Sequence, residues 1–159
     1  MLHRMQRSHE MPRTRRKGRG RVKLIAEWVL PIKTVSELNQ REHWREKHKR
    51  HKIQKMQVKM RFREFNGLLA PPLHIIIIRC MPRMLDSDNL PGALKCVRDA
   101  LADCIIPGLQ AGRADDPKYG LTFEVKQEKA KQKGVKIQIY EISTLELQVL
   151  DSTFFKSID

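Results

Sequence analysis

Residues 73–81, LHIIIIRCM, form the stretch that decides the fold. The run is rich in β-branched side chains and is bounded by Pro71-Pro72 and Pro82. Such a run is typical of a central β-strand that is covered on both faces. From Leu90 onward, apolar residues recur at i, i+4 and i+7, which predicts a helix with one buried face. Pro107-Gly108 is expected to end this helix.

The segment before this strand predicts a further strand and a further helix. VKLIAEWVLPI, residues 22–32, is predicted to be a strand that Pro31 ends. Thr34 and Glu37 fit a capping box, so a helix is expected from about residue 35 to residue 54. The following QVKMRFREF, residues 57–65, alternates well enough to be helix or strand, and a strand is favoured.

The segment after the central helix predicts a β-hairpin. LTFEVKQE, residues 121–128, and GVKIQIYEI, residues 134–142, alternate between apolar and polar side chains, with Gly134 near the turn. The elements together predict an α+β fold, with a mixed sheet and two main helices. The domain is expected to span residues 22–142. Residues 1–21 are predicted to be a flexible basic arm. Residues 143–159 are predicted to be a partly disordered extension that adds a strand or trails off.

Charge is distributed unevenly along the 159 residues. Residues 1–63 hold 20 Lys and Arg against 5 Asp and Glu, a net of +15. Residues 64–159 hold 12 against 13, a net of −1. A field this lopsided favours a polyanionic partner, either nucleic acid or an anionic membrane. Because the apolar residues of the basic half form no continuous stripe, nucleic acid is preferred.

The remaining composition indicates a cytoplasmic protein. No apolar run approaches the roughly 20 residues that span a bilayer, and the N-terminus lacks the apolar core of a signal peptide. Cys80, Cys96 and Cys104 are odd in number and show no CxxC spacing. Free, buried thiols in a reducing compartment are therefore expected, and no membrane partner.

The basic helix supplies candidate contacts to nucleic acid. Its cations can bind phosphates, and its tryptophan can stack on an exposed base. The candidates are Arg41, Trp44, Arg45, Lys47, Lys49, Arg50, Lys52 and Lys55. For any single one of them, a solvated surface position is the alternative.

Four aspartates suggest metal chemistry. Asp86 and Asp88 follow the buried strand at i and i+2, so both carboxylates share one face if the chain is extended. Asp115 and Asp116 follow in a loop after the helix. Carboxylates without His or Cys partners suit Mg²⁺ or Mn²⁺, which can activate water and stabilise charge on a phosphate. The alternative is structural: Asp88 caps a helix, and Asp115-Asp116-Pro117 forms a turn.

The stretch DSDNLPGALKCVRDALADC, followed by ADDP, resembles the RusA family of Holliday-junction resolvases of phages and prophages. The shared pattern is DxDNL, a lysine four residues before Asp-Ala-Leu, and a loop with two adjacent aspartates. The resemblance covers about residues 22–142. It implies a homodimeric, Mg²⁺-dependent endodeoxyribonuclease that cuts branched DNA in recombination and repair, with Mn²⁺ as a substitute metal.

Carried over by position, the resemblance implies that the metal-binding catalytic carboxylates are Asp86, Asp88 and Asp116, with Asp115 assisting. Lys95 matches the family's catalytic lysine when the alignment is anchored on residues 99–101. This chain departs from the pattern, because residues 91–93 add about a turn between Asn89 and the lysine. Lys95 would support charge on the phosphate, whereas a salt bridge with Asp99 is its alternative.

Two other functions stay open at this point. One is a nucleic-acid-binding protein of the same fold that does not cut. The other is a broader structure-selective nuclease with the same active site. The set of four aspartates favours a nuclease, because a simple binder gains nothing from placing like charges near phosphate.

Overall fold

The structure, a computed structural model, describes residues 23–37 and 41–142. The described strands are β1 (Lys23–Leu30), β2 (Leu73–Met81), β3 (Leu121–Lys129) and β4 (Gly134–Glu141). The helices are α1 (Trp44–Glu64) and α2 (Asn89–Ile105), and a 3₁₀ turn covers Pro117–Tyr119. The predicted α+β class, with a mixed sheet and two helices, is confirmed. The predicted arm, residues 1–21, and the predicted extension, residues 143–159, lie outside the described residues.

The sheet has the strand order β1-β4-β2-β3. β4 is antiparallel to both β1 and β2, whereas β3 is parallel to β2 and is reached through α2. The predicted hairpin is therefore wrong, because β2 lies between its two strands. Residues 130–133 pass over the end of β2, where the Ala130 N–H donates to the Met81 carbonyl at 3.1 Å. An apolar central strand needs a neighbour on each side, and β3 and β4 supply both.

The core lies between one face of the sheet and the two helices. Ile75 and Ile77 of β2 are fully buried on this face, as is Leu94 of α2. On the opposite face, Ile76 and Ile78 are only half-buried. The prediction that β2 is covered on both faces is therefore wrong for residues 73–78, where burial alternates, whereas Arg79, Cys80 and Met81 are all buried.

The start of α1 differs from the prediction. The helix begins at Trp44, and the His43 side chain accepts from the Arg45 N–H at 3.3 Å. The proposed capping box is wrong because both of its residues are used elsewhere. Thr34 accepts a hydrogen bond from buried Arg79, and Glu37 forms ion pairs with cations of α1.

The end of α1 also differs, since residues 57–65 continue the helix to Glu64 instead of forming a strand. Val58 and Phe62 lie one helical turn apart and face the sheet. Val58 is fully buried, and the ring of Phe62 meets the ring of Trp28 edge-on at 6.4 Å. This spacing of i and i+4 favours a helix over the alternation of a strand. Neither described helix combines the length and apolar character needed to cross a membrane.

The three cysteines are free thiols, as predicted. Cys80 and Cys96 are buried, and Cys104 is half-buried. Burial is the main cause that raises the pKa of Cys80 to about 11, together with its hydrogen bond to Glu128. These thiols therefore belong to the packing of the domain and have little thiolate character.

Candidate functional site

The connection from β2 to α2 is anchored on both sides before it reaches the first aspartate. Arg79, which is 4% exposed, donates to the Arg83 carbonyl at 2.7 Å. The Gln127 side chain of β3 accepts from the Leu85 N–H at 2.9 Å and donates to the Leu85 carbonyl at 2.6 Å. The backbone that carries Asp86 is therefore held by hydrogen bonds rather than left as a free loop.

Asp86 and Asp88 lie immediately before α2, with Asp88 at its N-cap position. The Asp86 carbonyl accepts from the N–H groups of Asn89 at 3.1 Å and Leu90 at 3.2 Å. Asp88 has helical dihedral angles, φ −74° and ψ −28°, so the expectation of an extended chain here is wrong. Both carboxylates are exposed, and neither forms an ion pair with another described residue.

The Asp88 side chain does not act as a helix cap. It occupies the N-cap position of α2 but makes no capping hydrogen bond. Its hydrogen-bond partner among the described residues is the side-chain amide of Asn89, which donates to Oδ1 at a long 3.5 Å. The side-chain oxygen of Asn89 accepts from the Ser36 hydroxyl at 3.0 Å. The alternative prediction, that the Asp88 side chain caps the helix, is therefore wrong.

Lys95 pairs with Asp99 one turn further along α2. Its ammonium lies 2.9 Å from Oδ2 and 3.2 Å from Oδ1 of that carboxylate. The alternative interpretation of Lys95, an i,i+4 salt bridge, is thus confirmed. The side chain of Lys95 is largely exposed, whereas that of Asp99 is mostly buried. Lys95 can therefore move away from this salt bridge more easily than Asp99 can.

Asp115 and Asp116 are both held by cations. Asp115 lies 3.0 Å from Nη2 of Arg98 on α2. Asp116 caps the 3₁₀ turn, accepting from the Lys118 N–H at 3.1 Å, and its other oxygen lies 3.1 Å from the Lys118 ammonium. These hydrogen bonds from Lys118 lower the pKa of Asp116. Asp116 therefore has the turn role that was the alternative to metal binding.

The described residues hold no ready-made metal centre. Within residues 23–37 and 41–142, no three His, Cys, Asp or Glu side chains lie close enough to hold an ion together. The four aspartates are thus not one metal-holding group: Asp115 and Asp116 face cations, whereas Asp86 and Asp88 stand exposed. Mg²⁺ often takes one or two carboxylates and completes its shell with water and substrate phosphates. The Asp86–Asp88 pair has the donor chemistry for that arrangement.

One group of α1 cations is engaged within the protein. The Glu37 carboxylate lies 2.7 Å from Lys47, 2.8 Å from Arg50 and 3.0 Å from His51, and Arg50 also meets Glu42 at 2.6 Å. Burial alone would raise the pKa of Glu37, but the hydrogen bonds from these three residues outweigh it and lower the pKa to about 2. Two predicted phosphate contacts, Lys47 and Arg50, therefore hold the segment before α1 against the helix.

The other predicted contacts point to solvent without an acidic partner among the described residues. Trp44 is 67% exposed, and the Arg45 guanidinium lies 5.4 Å from its ring centroid. Arg41, Lys49 and Lys52 are exposed, and Lys55 is half-buried. These side chains remain available to an external ligand.

Four of the cations of α1, with neighbouring residues, line a groove of about 500 Å³, here called the α1 groove. Its lining residues are His48, His51, Lys52, Lys55, Met56, Lys59, Met60 and Arg63. Sequence reasoning named Lys52 and Lys55 but missed the rest. The signal was present as helical spacing between positions 48 and 63, but it could not be used while the helix was expected to end at residue 54.

Comparison with known proteins does not identify a family for this chain. The chain matches no protein-family model, and no curated protein is significantly similar to it. The resemblance to RusA-type resolvases therefore rests on the DxDNL, DAL and DD motifs and stays a prediction.

Proposed function

We propose that the protein is a metal-dependent endodeoxyribonuclease that cuts branched DNA in the manner of RusA-type resolvases. The observation that supports this most is the state of Asp86 and Asp88. In a chain of net charge +14, these two carboxylates face solvent without a cation among the described residues, and Asp88 caps nothing. Carboxylates that have no such partner are available to bind a ligand and contribute little to the stability of the fold.

The metal would be held chiefly by Asp86 and Asp88. Mg²⁺, or Mn²⁺ in its place, supplies an activated water and neutralises charge on the phosphate. Asp116 is the proposed third carboxylate, with Asp115 assisting. Because the side chains of Asp116 and Lys118 are both exposed, exchanging that contact for a metal costs little.

Lys95 is the proposed phosphate-stabilising residue. It lines a cavity of about 320 Å³ together with Lys47, His51 and Lys55 and with the carboxylates of Glu37 and Asp99. Lys55 has no acidic partner among the described residues, so a phosphate entering there meets Lys55 beside Lys95. Asp99 holds the Lys95 ammonium in position until the substrate arrives. As a point charge, Lys95 then stabilises the developing negative charge on the phosphate.

Cleavage assays test this proposal. A four-way junction, a linear duplex and a single strand of the same sequence are incubated with Mg²⁺ or EDTA. We expect nicking of the junction that needs the metal, and a rate at least about 100-fold lower in Asp88→Asn. The matched control is Glu141→Gln, which removes one exposed carboxylate at the end of β4 and should cut normally.

The other outcomes are also informative. Equal cutting of all three DNAs would keep the active site and discard the resolvase. Tight binding without cutting, in Mg²⁺ and in Mn²⁺, would overturn the nuclease and favour a binding protein of this fold.

The homodimer that the resemblance implies is a separate part of the proposal. Paired nicks across a junction require two active sites held together. Light scattering should give a mass about twice 18.7 kDa. A monomer at working concentration would remove the paired-nick mechanism without touching the chemistry.

A further inference from the structure

The cations of the α1 groove have no acidic partner among the described residues. None of the four forms an ion pair with another described residue, whereas Lys47, Arg50 and Arg61 on the same helix do. The four are Lys52, Lys55, Lys59 and Arg63. Like charges three or four residues apart destabilise a helix. This surface therefore repels itself until an anion binds to it.

The spacing of these cations fits a chain of anions rather than a single one. They recur once per helical turn, or about every 5.4 Å, over a line of about 16 Å between positions 52 and 63. A phosphate ion or a nucleotide would engage only one or two of them. A nucleic-acid backbone presents phosphates in a regular row along the whole line.

Two methionines lie among the cations and make the groove partly apolar. Met56 is 51% exposed and Met60 is 53% exposed, and both line the α1 groove. A thioether makes favourable contacts with aromatic rings, so these side chains suit the faces of nucleobases. In a duplex the base faces are stacked and hidden, whereas a single strand presents them beside its phosphates.

We propose that the α1 groove binds single-stranded nucleic acid, with phosphates on its four cations and bases against Met56 and Met60. Proteins that hold single strands combine a basic groove with surfaces for bases in this way. His51 and Lys55 also line the cavity that contains Lys95, so a strand in the groove continues toward the start of α2. The inference rests on the proposed function only in taking this strand to be part of the DNA that is cut.

Binding without metal tests the phosphate contacts. The anisotropy of a labelled thymidine strand is measured in EDTA between about 50 and 300 mM salt, with a duplex of equal length beside it. The variant combines Lys52→Gln, Lys55→Gln and Lys59→Gln. We expect about tenfold weaker binding of the single strand at low salt, and a salt slope smaller by about 2, since each lost phosphate contact removes about 0.7.

The matched control removes three exposed lysines elsewhere, Lys23→Gln, Lys131→Gln and Lys133→Gln, so the net charge is the same. We expect its salt slope to change by less than about 0.7. Equal weakening by both triple variants would overturn the groove and leave only general charge attraction. Circular dichroism confirms that each variant is folded.

A second variant, Met56→Gln with Met60→Gln, tests the base contacts. It should bind the thymidine strand about threefold more weakly but bind an abasic strand of equal length unchanged. If the unaltered protein binds the duplex as tightly as the single strand and this variant changes nothing, the groove is a duplex surface and the proposal is wrong. Because no metal is present, failure of the nuclease leaves this result intact, and the reverse also holds.

Discussion

The two helices are built on opposite principles. α2 buries ten of its 17 residues, from Asn89 to Ile105, against the sheet and α1. α1 is longer but buries only Gln54 and Val58 of its 21 residues, and its Lys47 and Arg50 form ion pairs with Glu37. The difference teaches that α2 completes the core, whereas α1 leaves most of its side chains exposed.

Shortening a side chain on each helix should show the largest difference in stability between α2 and α1. Leu94→Ala on α2 should lower the free energy of unfolding by about 3 kcal/mol, because Leu94 is fully buried and its loss leaves a cavity. Met60→Ala on α1 should change it by less than about 0.5 kcal/mol. Urea unfolding at neutral pH measures both. Similar losses for the two variants would mean that α1 is packed against something outside the described residues.

Removing the Glu37 carboxylate, which pairs with cations of α1, should have the next largest effect on the free energy of unfolding. The folded pKa of Glu37, about 2, lies below its ordinary value of 4.5, so its contribution to stability is complete above pH 4.5 and is lost as the pH falls toward 2. Glu37→Gln should therefore cost about 2 kcal/mol at pH 7 and less than half of that at pH 3. Urea unfolding across this range checks it.

The matched control is Glu46→Gln, an exposed carboxylate in the first turn of α1 that pairs with no described cation. Its stability should follow that of the unaltered protein within about 0.5 kcal/mol at every pH. A constant deficit for Glu37→Gln from pH 7 to pH 3 would show that shape, not charge, is what Glu37 contributes.

The smallest expected effect is the difference in single-strand binding between an unpaired and a paired lysine of α1. Lys55→Gln should weaken single-strand binding about threefold at low salt, because Lys55 faces the α1 groove without an acidic partner among the described residues. Lys47→Gln removes the same charge but one already engaged by Glu37, and should weaken binding by less than about 1.5-fold. Anisotropy titrations in EDTA compare the two. The reverse order would show that the ligand displaces Glu37.

The apolar pattern predicted those parts of the fold that apolar burial controls. β2 has the predicted bounds of Leu73–Met81, and α2 begins one residue before the expected Leu90. The limits of α1 could not be predicted in the same way, because a helix with only two buried residues has hardly any apolar period to read. The predicted hairpin of β3 and β4 is wrong for another reason: strands that follow each other in the sequence need not pair in the sheet.

The candidate site was predicted by residue type but not by contact. Asp86, Asp88, Asp115 and Asp116 were found as acids near a helix, but the sequence did not show which of them a cation holds. Arg98 on α2 pairs with Asp115 in the loop that follows this helix, which no local pattern signals. Glu37 was assigned to a cap and instead contacts Lys47, Arg50 and His51 of α1. A local pattern does not signal these partners, because they lie 10 to 14 residues away in the chain.

The position of β4 decides when this protein can fold during its synthesis. Lys23 pairs with Glu141, and β4 lies between β1 and β2 although it follows both in the chain. While residues 134–141 are still inside the ribosome, β1 has no strand to join, and the edge of β2 that β4 will cover stays open. The sheet must therefore close late, by insertion of its last described strand into its middle. Such distant pairing favours slow folding, and an open strand edge is a site where aggregation can begin.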